Sequence, residues 1–126
     1  MATINEMIAG KMPDEVGLFS ASIATFVEEA MALAGFSDKV ENDLSVLEKS
    51  LVADIVAEAL IMPSMSHYKK AIKKAEGDQA GSVEFLDNKL DWLKMMKTIL
   101  SESIATKKAK LLTSLNDTGV PMIFVS

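Results

Sequence analysis

The chain contains no cysteine and no arginine, and it has a single histidine, His67. The absence of cysteine excludes disulfides, thiolate metal sites and cysteine nucleophiles. With one histidine the two Glu-x-x-His motifs of a di-iron helical bundle cannot be assembled. All thirteen basic residues are lysine and the net charge is −5. Nucleic-acid readers carry a basic excess and use the planar guanidinium fork on bases and phosphates. No direct nucleic-acid recognition is therefore expected. Aromatics make up only 6% of the chain, so the core has to be built from Leu, Ile, Val, Ala and Met. Long apolar runs are missing as well. The most apolar stretch, residues 51–62, is interrupted by Asp54 and Glu58, and it is too short and too charged to span a bilayer. The N-terminus, MATINEMIAG, lacks the features of a signal peptide, so the chain is expected to be cytoplasmic as synthesised. Neither a P-loop nor a dinucleotide fingerprint is present, and no His-Asp pair is available to activate a serine.

What is present is helical patterning in a 126-residue chain, the length of one domain, 49% hydrophobic and 25% charged. Thr3 and Glu6 form a capping-box pair ahead of a short helix ending at Gly10. Pro13, Asp14 and Glu15 read as the first turn of a second helix, with Pro at N1 and acids at the positive end of the dipole. Val16, Phe19, Ile23, Phe26, Ala30 and Leu33 continue it as one stripe, and Gly35 supplies the stop. Ser37 is the expected cap of a third helix, carried by Val40, Leu44, Leu47, Leu51 and Ile55 and ended by Pro63. From Leu51 onward Val52, Val56 and Leu60 add a second apolar face, as in a helix central to a bundle or shared with another subunit. A shorter helix follows, capped by Ser64 or Ser66, with Met65, Tyr68 and Ile72 on one side and Lys69, Lys70, Lys73 and Lys74 on the other. Residues 77–81 read as a loop.

Ser82 is the expected cap of the last helix, and neither Gly nor Pro interrupts residues 83–117. Such a helix is about 50 Å long. After it, Gly119 and Pro121 break the pattern, and Met122, Ile123, Phe124 and Val125 are uncharged and rich in β-formers. Free, this tail is an aggregation hazard, which points to docking on a partner. The expected fold class is all-α: a four- to five-helix, bundle-like domain over residues 1–117, with one long C-terminal helix and a short extended tail over 118–126.

Candidate chemistry is sparse. His67 has no second histidine or cysteine to join it as a metal ligand or general base, and it reads as a surface histidine. Asp54 and Glu58, at i and i+4 on an apolar helix, form a buried acid pair or half of a metal site, or else a narrow solvated stripe or carboxylates paired with lysines across an interface. The cost of unpaired buried charge favours the stripe or the interface pairing, and Asp54→Ala is then expected to be mild in isolation. Glu28, Glu29, Glu84, Asp87 and Asp91 read as solvated faces, without the loop spacing of a calcium site. Two lysine clusters, 69–74 and 107–110, suit an acidic partner surface, a phosphate, a membrane headgroup or simply an exposed helix face. No catalytic residue, cofactor or metal is expected.

The expected helix order is short, long, long, shorter, long, followed by an extended tail. It resembles that of the helical head–tail adaptor proteins of tailed phages. That resemblance implies a non-enzymatic subunit of a homo-oligomeric ring, incorporated in a virion and bound to other protein subunits. The residues expected at contacts are Leu51, Val52, Val56 and Leu60, the four lysines of the 69–74 cluster, and Met122 to Val125. Nine methionines support a second reading, a small helical chaperone or regulator that binds another protein's helix.

Overall fold

Thr3 caps the first helix, α1 (Ile4–Lys11), as its spacing predicts. The Glu6 N–H donates to Thr3 Oγ1 at 3.1 Å, and the Thr3 N–H donates to Glu6 Oε1 at 2.8 Å. The computed structural model describes residues 3–75 and 80–117, with side chains placed for 3–74 and 83–113. α1 runs one residue past Gly10, and Ile4, Ile8 and Met12 are fully buried along one side. Pro13 opens α2 (Pro13–Leu18) at its first turn.

The stripe from Val16 to Leu33 is not one helix. It divides into α2, a 3₁₀ turn over residues 20–22, and α3 (Ile23–Leu33). Gly17, Ser20 and Ser22 are weak helix formers, and two of them are serines that compete for backbone groups. α3 ends as expected. Gly35 takes a positive φ of 87°, and the Phe36 N–H reaches back to the Met31 carbonyl at 2.7 Å. The Gly35 N–H bonds to Ala32, which completes a Schellman motif with Phe36 buried behind it.

Ser37 does not start a helix. Residues 37–45 form a connection with a 3₁₀ turn over 41–43, and Glu41 Oε2 accepts the Ile4 N–H at 2.9 Å. The true cap is Ser45: its Oγ accepts the Glu48 N–H at 3.1 Å, while Glu48 Oε1 accepts the Ser45 N–H at 2.8 Å. This second capping box is legible as Ser45-Val-Leu-Glu48.

α4 (Val46–Ala75) then passes straight through Pro63, merging the two helices expected on either side of it. An interior proline removes one ladder bond and costs roughly 3 kcal/mol. Packing offsets this. Leu60 and Ile61 before the proline and Tyr68 after it are all buried. Pro63→Ala is accordingly expected to raise the unfolding free energy by about 1–3 kcal/mol, read as a higher urea midpoint at unchanged slope. An unchanged or lower midpoint would show that the packing is built around the proline ring.

α5 (Ala80–Asp117) lies antiparallel to α4 and is 38 residues, or about 57 Å, long. It begins two residues before Ser82 and takes in Gly81. α4 is the central element: α5 packs along one side of it, and α1, α2 and α3 pack elsewhere around it. Leu51, Val52, Val56 and Leu60 are therefore covered by the chain's own helices. This corrects the expectation that they wait for a neighbour. α4 is apolar on most sides because it is enclosed on most sides, and each such side chain contributes about 1.5–3 kcal/mol of burial. The fold is all-α with a long C-terminal helix. Among the described residues no helix is long and apolar enough to cross a membrane. Met122, Ile123, Phe124 and Val125 lie outside the described residues.

Candidate functional site

Asp54 projects from the middle of α4 and is completely buried. Its Oδ2 accepts from Lys107 Nζ and from Ser103 Oγ, each at 2.6 Å, and its Oδ1 faces Lys11 Nζ at 3.1 Å. Lys107 also donates to Ser50 Oγ at 2.6 Å. One carboxylate thus ties α1, α4 and α5 together. Burial pushes its carboxyl group up, but the hydrogen bonds from Lys107, Ser103 and Lys11 outweigh that and hold it below the usual range. Asp54 is therefore neither a solvated stripe nor paired across an interface: its lysines come from its own chain. Glu58, one turn on, is half-buried and accepts from Ser101 Oγ at 2.6 Å.

A second buried carboxylate lies at a position that the sequence pattern does not mark. Glu15 in α2 is completely buried. Its Oε2 accepts from the Tyr68 hydroxyl at 2.5 Å and from Lys89 Nζ at 2.9 Å. Lys89 also pairs with Asp14 at 3.1 Å, and its ammonium lies 4.3 Å from the centre of the Trp92 ring. Burial lifts the Tyr68 hydroxyl far above its ordinary pKa, and the hydrogen bond and charge of Glu15 lift it further. Lys89 is pulled down by burial and raised more strongly by its bonds to Glu15 and Asp14, so it ends above its ordinary value. This cluster ties α2, α4 and α5 together as the first ties α1, α4 and α5. From the sequence, Glu15 looks like an acid placed for the helix dipole, and nothing local marks it as buried.

Both carboxylates are sealed from solvent and matched to cations of the same chain. That chemistry holds helices in register, although Glu15 Oε1 accepts no hydrogen bond among the described residues. His67 is exposed, with its ring edge-on to Tyr68 at 5.5 Å. Among the residues described, no group of three or more potential ligands could hold a metal ion.

The surface carries the remaining features. Lys69, Lys70, Lys73 and Lys74 are exposed, as expected. Lys107 of the second lysine cluster is not a surface cation but part of the Asp54 clamp. A shallow concavity of about 320 Å³ is lined by Met62, Met65, Ser66, Lys69, Lys70 and Lys73. A larger groove of about 570 Å³ opens where the end of α3, the start of α4 and the last turns of α5 meet, with Phe36, Leu51, Leu111 and Leu112 among its walls. On α5, Phe85, Met95 and Ile99 are 60%, 55% and 47% exposed. No family model matches the chain, and no curated protein or solved structure matches it either.

Proposed function

We propose that the chain is a non-enzymatic structural subunit that assembles with copies of itself. The observation that carries this reading is a group of large apolar side chains left outside on the two long helices: Phe85, Met95 and Ile99 on α5, and Met62 on α4. Single exposed apolar residues are ordinary, but residues that recur along one helix face suit a contact surface. The two buried clamps support the same reading, because they spend on rigidity the two carboxylates that are fully buried among the described residues.

A ring between the head and tail of a phage is one assembly of this kind. The resemblance behind it rests on helix order. The order in the structure is three short helices followed by two long ones, so the part that carries over is the long C-terminal helix. The second reading, a small helical chaperone or regulator, draws on the apolar groove beside Phe36, Leu111 and Leu112, into which another protein's helix could lie.

Light scattering behind size exclusion, run across a range of protein concentrations, separates the two. The assembly reading expects a defined oligomer or a mass that rises with concentration. A monomer at every concentration would sink it and favour the partner-binding reading.

A further inference from the structure

The α4–α5 hairpin carries two exposed stripes that its own fold leaves unused, and they are opposite in charge. On α5, Phe85, Met95 and Ile99 are flanked by exposed Glu84, Asp91 and Glu102. On α4, Met62, 65% exposed, and half-buried Met65 line a concavity walled by Lys69, Lys70 and Lys73. Neither these acids nor these lysines form an ion pair among the described residues, whereas Lys11, Lys89 and Lys107 are all engaged. The stripes match in extent as well. Met62 to Lys73 covers about 16 Å of helix and Phe85 to Ile99 about 21 Å.

The stripes also lie on opposite sides of the hairpin. On α5, Phe85 shares a side with Lys89 and Trp92, at four and seven residues, and Lys89 leans onto Glu15 of α2. On α4, Met62 follows Glu58 by one turn, and Glu58 meets Ser101 of α5. Trp92 and Ser101 are nine residues apart, which is about two and a half turns and so opposite faces of α5. A copy seated on one stripe therefore leaves its own second stripe free.

We propose that the acidic apolar stripe of α5 in one copy seats on the lysine-walled methionine concavity of α4 in the next copy, a heterologous contact that repeats from subunit to subunit. The inference rests on the self-assembly reading and gives it a geometry. Such contacts close into a ring or run on as a filament, depending on the rotation between neighbours. Methionine suits the receiving side because its flexible thioether adapts to an inserted ring such as Phe85. The rim charges steer docking and fix its direction.

The test uses two charge-reversed variants of the full chain, Lys69→Glu with Lys73→Glu and Asp91→Lys with Glu102→Lys. All four positions are exposed and outside both clamps, so each variant is expected to keep wild-type helicity. Each alone is expected to lose self-association by roughly a hundredfold or more in sedimentation velocity, because like charges then face each other. Mixed one to one, they are expected to recover it, since every contact again joins opposite charges. If wild type assembles and either variant assembles equally well, or the mixture fails to recover, the proposed surfaces are wrong while self-assembly stands. A wild-type chain that stays monomeric overturns both.

Discussion

Asp54→Ala is expected to lower the unfolding free energy by about 3 kcal/mol or more, making this one of the two most damaging single changes proposed for the chain. The substitution removes at once the acceptor of two hydrogen-bond donors on α5 and the ion-pair partner of Lys11 on α1. Lys107 is left largely covered with only Ser50 to receive it, while Lys11 is exposed enough to turn toward water. The loss therefore comes chiefly from Lys107 and from the cavity, and less from Lys11. Equilibrium urea unfolding reads it directly. A loss below about 1 kcal/mol would return Asp54 to the solvated stripe expected from the sequence. The pH dependence provides a second check. Asp54 titrates lower in the folded chain than in the unfolded one, so its stabilisation is complete above the unfolded value of about 4 and is lost as pH falls through the folded value. The gap between wild type and Asp54→Asn is accordingly expected to be widest near neutrality and to close in acid. Restoring packing without charge should recover much of the loss, so Asp54→Leu combined with Lys107→Met is expected to be more stable than Asp54→Ala.

Where this fold departs from its sequence pattern, packing overrides a local signal. Pro63 reads as a stop because its own backbone chemistry forbids a ladder bond, yet the buried residues on both sides hold the helix through it. Residues 16–33 keep a perfect apolar stripe, but a stripe specifies a face and not an unbroken axis: Gly17, Ser20 and Ser22 let the chain turn, Ile23 and Ala30 stay buried, and Leu33 is left exposed. The capping boxes at Thr3 and Ser45 and the Schellman end at Gly35 are local devices, and all three can be read directly from residue type and spacing. The clamps are the reverse case. Asp54 stands out because it interrupts an apolar run, but its partners Lys11 and Lys107 lie 43 and 53 residues away in sequence, and no periodicity links them. Glu15 does not stand out at all. A single carboxylate in the first turn of a helix has a sufficient local explanation, and its burial depends on where Tyr68 and Lys89 arrive.

The second large effect is expected at that unforeseen residue. Glu15→Ala removes the acceptor of the buried Tyr68 hydroxyl and of Lys89, and should cost about 2–3 kcal/mol. Lys89 keeps Asp14, an exposed partner, so the larger share of the loss falls on the orphaned phenol and the vacated volume. Tyr68 is the chain's single tyrosine, so its ionisation can be followed in the near ultraviolet without a contribution from another phenol. In the folded wild type both Tyr68 and Lys89 titrate above their ordinary values. Their contribution is therefore complete below about pH 10, where the unfolded groups titrate, and it is lost as pH rises through the folded values. Phenolate should appear in wild type only as helicity is lost, in one cooperative alkaline step. In Glu15→Ala the carboxylate's bond and charge are gone and only burial and the charge of Asp14 remain to hold the proton, so phenolate should form at lower pH and partly ahead of unfolding. If wild-type Tyr68 instead ionises near pH 10 while the helices persist, Glu15 does not hold it, and the link between α2 and the hairpin must lie elsewhere.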